Sequence, residues 1–287
     1  MSITDQVPQA SQYYIVSAAP SLGERLLVLK EGDLFGVFDS SGNIDSNLQY
    51  DAGLYFKGTR FLSKLDLWLS LFESAAKPHL LSSSVRADNV LLSADLTNPD
   101  VYTSGRVVIP RGSLQLRRRM FLREGVLYQQ VLMRSYTRTM VHAGFILEFD
   151  ADYVDIFEVR GQHREKRGAV QPPCAEKDRL TLAYQGLDGV KRSTAIRFER
   201  PIEFFPINEA LNRLSFSFDL APGGEQTLIF SALCSLDDAV PQLSFFAEAL
   251  ERTERKAGTH VWNGCEIRSS DEQFNSWIRH SLKRISG

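Results

Sequence analysis

Leu65-Asp-Leu-Trp-Leu-Ser-Leu71 places a leucine at every second position, with Asp66, Trp68 and Ser70 between them. Successive side chains of a β-strand leave opposite faces, so the leucines share one side and the other three residues the opposite side. The same two-residue period runs through residues 12–236, punctuated at short intervals by turn residues. Gly125 interrupts a run that resumes at Val126–Met133, which predicts a hairpin with Arg123-Glu124-Gly125 at its tip. Thr181–Gln185 and Val190–Arg197 flank Asp188-Gly189, a pair suited to the turns that twisted strands prefer. Leu214, Phe216 and Phe218 alternate with polar residues before Pro222-Gly223-Gly224 leads into another run. No helical pattern separates these strands before residue 238, which disfavours a parallel α/β fold. The expected fold is all-β, a large antiparallel sandwich over residues 1–236.

The last fifty or so residues change period. Asp238 is placed to cap a helix with Pro241 in its first turn, and Val240, Leu243, Phe246, Ala247 and Leu250 follow at helical spacing. Residues 237–269 are therefore expected to be a helical linker. A second helix is expected over 270–287, opened by a Ser270/Gln273 capping box and carrying Phe274, Trp277, Ile278, Leu282 and Ile285 on one stripe. That stripe docks back on the sandwich, pairs with a second chain as a homodimer, or begins a further all-α domain.

Composition narrows the function classes. The 33 basic and 35 acidic residues nearly cancel, so no global field favours nucleic acid or an anionic membrane. The basic run Arg117-Arg118-Arg119 splits across a strand: Arg118 points with Leu116 and Met120, and its neighbours point away. The loop His163-Arg-Glu-Lys-Arg167 reads as solvated surface. Neither has the interleaved aromatic platform of a nucleic-acid site. No stretch is apolar enough to span a bilayer, and the start lacks the features of a signal peptide. Cys174, Cys234 and Cys265 are odd in number and far apart, which fits reduced thiols and a cytoplasmic location. The five histidines lack ligand spacing, and Asp150-x-Asp152-x-x-Asp155 lacks the glycine and closing glutamate of an EF-hand, so neither a metal nor a cofactor is expected.

The densest acidic run is Glu148, Asp150, Asp152, Asp155 and Glu158. Continued as a strand, it puts Glu148, Asp150 and Asp152 outward and sets Asp155 and Glu158 on opposite faces, unable to act on one bond. A helical turn would instead bring those two together. The strand reading makes Asp155–Arg160 a structural, inter-domain element in which Glu158 and Arg160 share a face, with Arg60 and Arg118 as the basic residues beside them. Among the aromatics, Trp262 is the candidate for stacking on a sugar, because it lies in a short extended link beside Asn263 and Gly264.

Four stretches resemble, in order, the N-terminal domain of bacterial glycogen-debranching-type amylo-α-1,6-glucosidases. They are Gly53-Leu-Tyr-Phe-Lys-Gly-Thr-Arg-Phe-Leu-Ser63, Leu96-Thr-Asn-Pro-Asp100, Ala151-Asp-Tyr-Val-Asp-Ile-Phe-Glu-Val-Arg-Gly161 and Phe274-Asn-Ser-Trp-Ile-Arg-His-Ser281. Gly58 departs from the family's usual aspartate at that position. The resemblance implies a β-supersandwich followed by an (α/α)6 toroid that carries the glycosidase site. Residues 270–287 would be the toroid's first helix, with Trp277 on its face. On that reading this chain holds no catalytic residue, its main partner is its own C-terminal domain, and an α-glucan is a further candidate ligand; the alternative is a self-standing carbohydrate-binding β-sandwich.

Overall fold

A computed structural model describes residues 26–49, 51–72, 74–176, 178–199, 212–237, 239–259, 269–272, 274 and 275. The fold is an antiparallel β-sandwich. Its widest layer has eight strands in the order β15 (Ala169–Glu176), β16 (Arg179–Gln185), β17 (Lys191–Phe198), β19 (Glu225–Leu236), β13 (Val126–Ser135), β12 (Leu114–Arg123), β9 (Leu92–Thr97) and β8 (His79–Val85). Facing it is a sheet of β18 (Arg213–Leu220), β14 (Val141–Asp150), β6 (Lys64–Leu71) and β3 (Ile44–Asp45), with β7 (Ser74–Ala76) also paired to β6. A smaller sheet holds β1 (Leu27–Glu31), β2 (Leu34–Phe38), β4 (Gly53–Phe56) and β5 (Thr59–Leu62). The hairpin β10 (Val101–Thr103)–β11 (Arg106–Ile109) forms a separate two-stranded ribbon.

Alternation explains the core. Leu65, Leu67, Leu69 and Leu71 of β6 are fully buried with Phe145, Leu147 and Phe149 of the neighbouring β14. Across the sandwich they meet Leu116, Met120, Val131, Phe230 and Ile196, in one continuous cluster that also takes in Leu29, Leu34 and Phe61 of the small sheet. Burying each such side chain contributes about 1.5–3 kcal/mol, so this cluster dominates the stability of the fold. The β12–β13 hairpin turns at Glu124-Gly125, both at positive φ, as this tight turn requires. The turn 221–224 does not make a hairpin. It carries the chain from β18 in one sheet to β19 in the other, and so ties the two layers together.

Arg118 lies on the inner face of β12, wholly buried. The guanidinium donates to Ser41 O at 3.1 Å, Asn43 Oδ1 at 2.6 Å and Gln129 Oε1 at 3.2 Å. Asn43 Oδ1 also accepts the amide of Leu67, so one polar node joins the loop after β2 to strands of both large sheets. All three acceptors are neutral, with the Asp39 and Asp66 charges acting at longer range. Burial pulls the Arg118 pKa down to about 10, against the pull of those carboxylates.

The outer face of the eight-stranded sheet is covered by α2 (Phe246–Thr259). Phe246, Ala249 and Leu250 pack on Phe121, Val126, Tyr128 and Leu233. The helix begins eight residues later than the expected Asp238 cap. Ala239 bridges back to Leu236, and Pro241 sits over Gly125 at the hairpin tip, which holds that stretch extended. Glu199 then accepts the Phe246 amide, satisfying a donor that helix starts leave unpaired. Near the second expected helix, Asp271 accepts the Phe274 amide at 3.1 Å; Gln273, the other half of the expected Ser270 capping box, lies outside the described residues. The rest of that helix, with Trp277, lies outside the described residues.

The β15 edge strand departs from the sandwich pattern, because all eight of its residues are exposed. Its pairing with β16 is irregular between Gln171 and Cys174, where Pro172 and Pro173 fall.

Candidate functional site

Two of the singled-out stretches, far apart in sequence, are joined in space. After β14 the chain runs antiparallel along β5: Ser63 N donates to Asp150 O at 2.9 Å, Arg60 N to Val154 O at 2.8 Å and Ile156 N to Gly58 O at 2.9 Å. Arg60, only 2% exposed, locks the seam through Asp152, with Nε to Oδ1 at 3.1 Å and Nη2 to Oδ2 at 2.5 Å. It also donates to Ala52 O. Burial opposes the charge, but Asp152 more than offsets it, so the Arg60 pKa lies above its usual value. Gly53 is needed beneath this arginine, since a Cβ there would fall 2.5 Å from Arg60 Cδ.

The segment Asp155–Arg160 is not a strand. Ile156–Val159 is a single helical turn, α1, capped by Asp155, whose side chain accepts the Phe157 amide at 2.8 Å. Glu158 reaches back to the Asp155 amide at 3.1 Å, completing a capping box. Local capping thus overrides the β-propensity of Ile156, Phe157 and Val159. Glu158 and Arg160 consequently share no strand face, and Arg160 is exposed. Glu158 pairs with Arg167 at 3.2 Å and Arg164 at 3.6 Å, whereas Arg60 and Arg118 take the partners named above. Glu158 is therefore a cap whose arginine partners are half-exposed and screened by water, so that its ion pairs add little. Glu158→Ala should lower stability by about 1 kcal/mol, read as a small fall in melting temperature.

Beside α1 lies a cleft of about 430 Å³. One wall is Thr59, Tyr153 and Asp155 from the seam; the others are Arg164 and Lys166 of the following loop, Tyr184, and Gly186–Asp188 with Arg192 of the β16–β17 hairpin. Tyr153 has φ +50, strained for an aromatic residue, and its ring stacks on Tyr184 with centroids 5.5 Å apart. Its hydroxyl donates to Leu182 O at 2.7 Å and lies 3.2 Å from Thr194 Oγ1, which itself donates to Phe61 O. Burial drives the Tyr153 pKa above the usual phenol range. Asp188 pairs with Arg192 at 2.8 Å, and the hydrogen bonds from that guanidinium pull its pKa down to about 2. Asp155 and Arg164 pair at 3.3 Å. The cleft is thus strongly polar yet almost charge-balanced.

Of the expected site residues, Arg60 builds the seam behind the cleft, Asp155 lines the cleft, Glu158 and Arg160 stay on α1, and Trp262 and Trp277 lie outside the described residues. Glu148, expected to face outward into water, is buried under Lys64 and Arg213. Leu96–Asp100 forms a loop staple: Asn98 donates to Pro99 O and Pro110 O and accepts the Leu114 amide, while Asp100 accepts that of Arg111. Tyr153, Tyr184, Arg164, Lys166, Asp188 and Arg192 were not singled out from sequence. Their signals were present only separately, as a hairpin turn and a basic loop. Among the described residues, no group of three or more His, Cys, Asp or Glu is placed to hold a metal, and no helix is long and apolar enough to cross a membrane.

The backbone resembles a protein assigned as a kojibiose phosphorylase from the human microbiome, at 10% identity and TM-score 0.54, over 88% of this chain and 32% of that one. This chain therefore spans about a third of that protein's length. Weaker likenesses are a galactose mutarotase related enzyme from Lactobacillus acidophilus (8% identity, TM-score 0.42, 76% and 100% covered) and an Escherichia coli K12 protein assigned as an aldose 1-epimerase (10%, 0.40, 74% and 99%). At these identities the likeness shows the fold alone. No curated protein sequence matches. A model of the N-terminal domain of (some) glycogen debranching enzymes matches residues 29–231, and the chain belongs to that family.

Proposed function

We propose that this chain is the non-catalytic β-domain of an α-glucan-hydrolysing protein, and that a downstream (α/α)6 catalytic domain packs on it. In this reading residues 1–236 are the supersandwich, 237–269 the linker and 270–287 the first helix of the next domain. The supporting observation is how the two most plausible carboxylates are used. Asp155 caps α1, and Glu158 is held by the Asp155 amide, Arg164 and Arg167, so both serve the local fold. A glycosidase pair must instead flank a scissile bond, about 5–9.5 Å apart depending on stereochemistry. The (α/α)6 toroid comes from the family resemblance of Phe274–Ser281.

Purified chain incubated with glycogen, limit dextrin and panose should release no glucose, while the protein encoded by the full reading frame should. Glucose release by the isolated chain that is lost in Asp155→Asn or Glu158→Gln would overturn the proposal.

A further inference from the structure

We infer that the downstream domain proposed above docks on one end of the sandwich, the end that carries α1 and the turn between β16 and β17. The inference rests on that reading and adds the surface. Topology fixes which turns share this end. β14 stops at Asp150 beside the start of β6 at Lys64, and β3 leads into the 46–49 turn next to that start. β19 stops at Leu236 against Arg192, just beyond the β16–β17 turn, and Pro241 sits over Gly125 at the tip of the β12–β13 hairpin. The chain also leaves from here. Late in α2, Glu254 pairs with Arg86, which follows β8, and Lys256 with Glu31, which itself accepts the Glu124 amide of the hairpin tip. The helix therefore brings residue 259 to this end.

Four turns at this end each lift a large apolar side chain into water: Leu48, Phe157, Leu187 and Val240. Their backbones are nevertheless held in place. Asp45 accepts the amides of Asn47 and Leu48, and the capping box closes α1. Gly186 N donates to Val190 O while Asp188 pairs with Arg192. Ala239 bridges to Leu236, and Asp237 accepts the Lys191 amide. Apolar side chains presented on such pre-ordered turns lose little freedom on contact, which suits them to anchor an interface. Between two of these turns, the polar cleft offers half-exposed donors and acceptors in near charge balance, the mixed chemistry that joins domains of one chain. The outward face of α2 is occupied by its own ion pairs, Glu248–Arg252 and Glu251–Arg255. Phe72, Tyr136 and Met140 are exposed too, but at the opposite end, a ten-residue strand or about 33 Å away from where the chain leaves.

The test is hydrogen exchange, read by mass spectrometry, on this chain and on the protein encoded by the full reading frame. In the longer protein the amides of 46–49, 156–160 and 186–190 should exchange roughly tenfold more slowly, the factor that about 1.4 kcal/mol of added local stability gives. Those of the β10–β11 turn should not change. The double variant Leu187→Ser/Val240→Ser alters two exposed side chains, so the isolated chain should keep its melting temperature. The longer protein carrying it should lose its single melting transition, and an unchanged transition would count against the inference. Slowing confined to 103–106 or 136–140 would move the domain to the other end, overturning the inference while leaving the reading above intact. Slowing in the isolated chain that grows with its concentration would give the surface to a second copy, with the same consequence. A reading frame that encodes no further domain, or one whose domain melts separately and slows no amide, would overturn that reading and the inference with it.

Discussion

Replacing Arg118 with alanine should destabilise the chain by about 3–5 kcal/mol, the sum of a large core cavity and three lost charged hydrogen bonds. For a domain of this size that is a fall in melting temperature of roughly 10 °C. The node it removes joins Ser41, Asn43 and Gln129, and through Asn43 the amide of Leu67. Arg118→Met should cost clearly less, because it keeps most of the volume and removes a charge whose burial is itself unfavourable. Thermal melts of both variants check this. An alanine variant melting within about 2 °C of the parent would show that the sheets hold their relation without the node.

Breaking the seam should have the next largest effect. Asp152→Ala leaves the Arg60 guanidinium buried without its bidentate carboxylate, a loss on the order of 3 kcal/mol. Arg60→Met should cost a similar amount. The double variant should be little worse than either single one, with a coupling of about 3 kcal/mol between the two side chains. Denaturant titrations of the four proteins give this cycle directly. Additive losses would mean that the two residues act separately and that backbone hydrogen bonds alone hold the 150–156 segment to β5.

The contrast between these two sites shows what is legible in the sequence. Alternation places Arg118 among the core-facing residues of β12 because strand geometry is local. Its partner Asn43 lies 75 positions away, and no periodicity points to it. The α1 turn is a different kind of omission. Asp155-x-x-Glu158 carries the capping-box pattern, but three β-favouring apolar residues suggest a strand, and in the structure the cap prevails. The cleft could not have been read from sequence. Thr59, Asp155, Lys166 and Asp188 come from four separate segments, and each alone resembles an ordinary surface turn.

An eight-stranded sheet has two long edges, and each edge offers rows of amide and carbonyl groups to any passing strand. At β15 the chain removes that template. Pro172 and Pro173 contribute no amide donor, and the pairing irregularity beside them interrupts the ladder that an incoming strand would need to follow. The widest layer of the molecule is therefore protected at this end against edge-to-edge polymerisation, and the protection comes from the covalent chemistry of two adjacent residues.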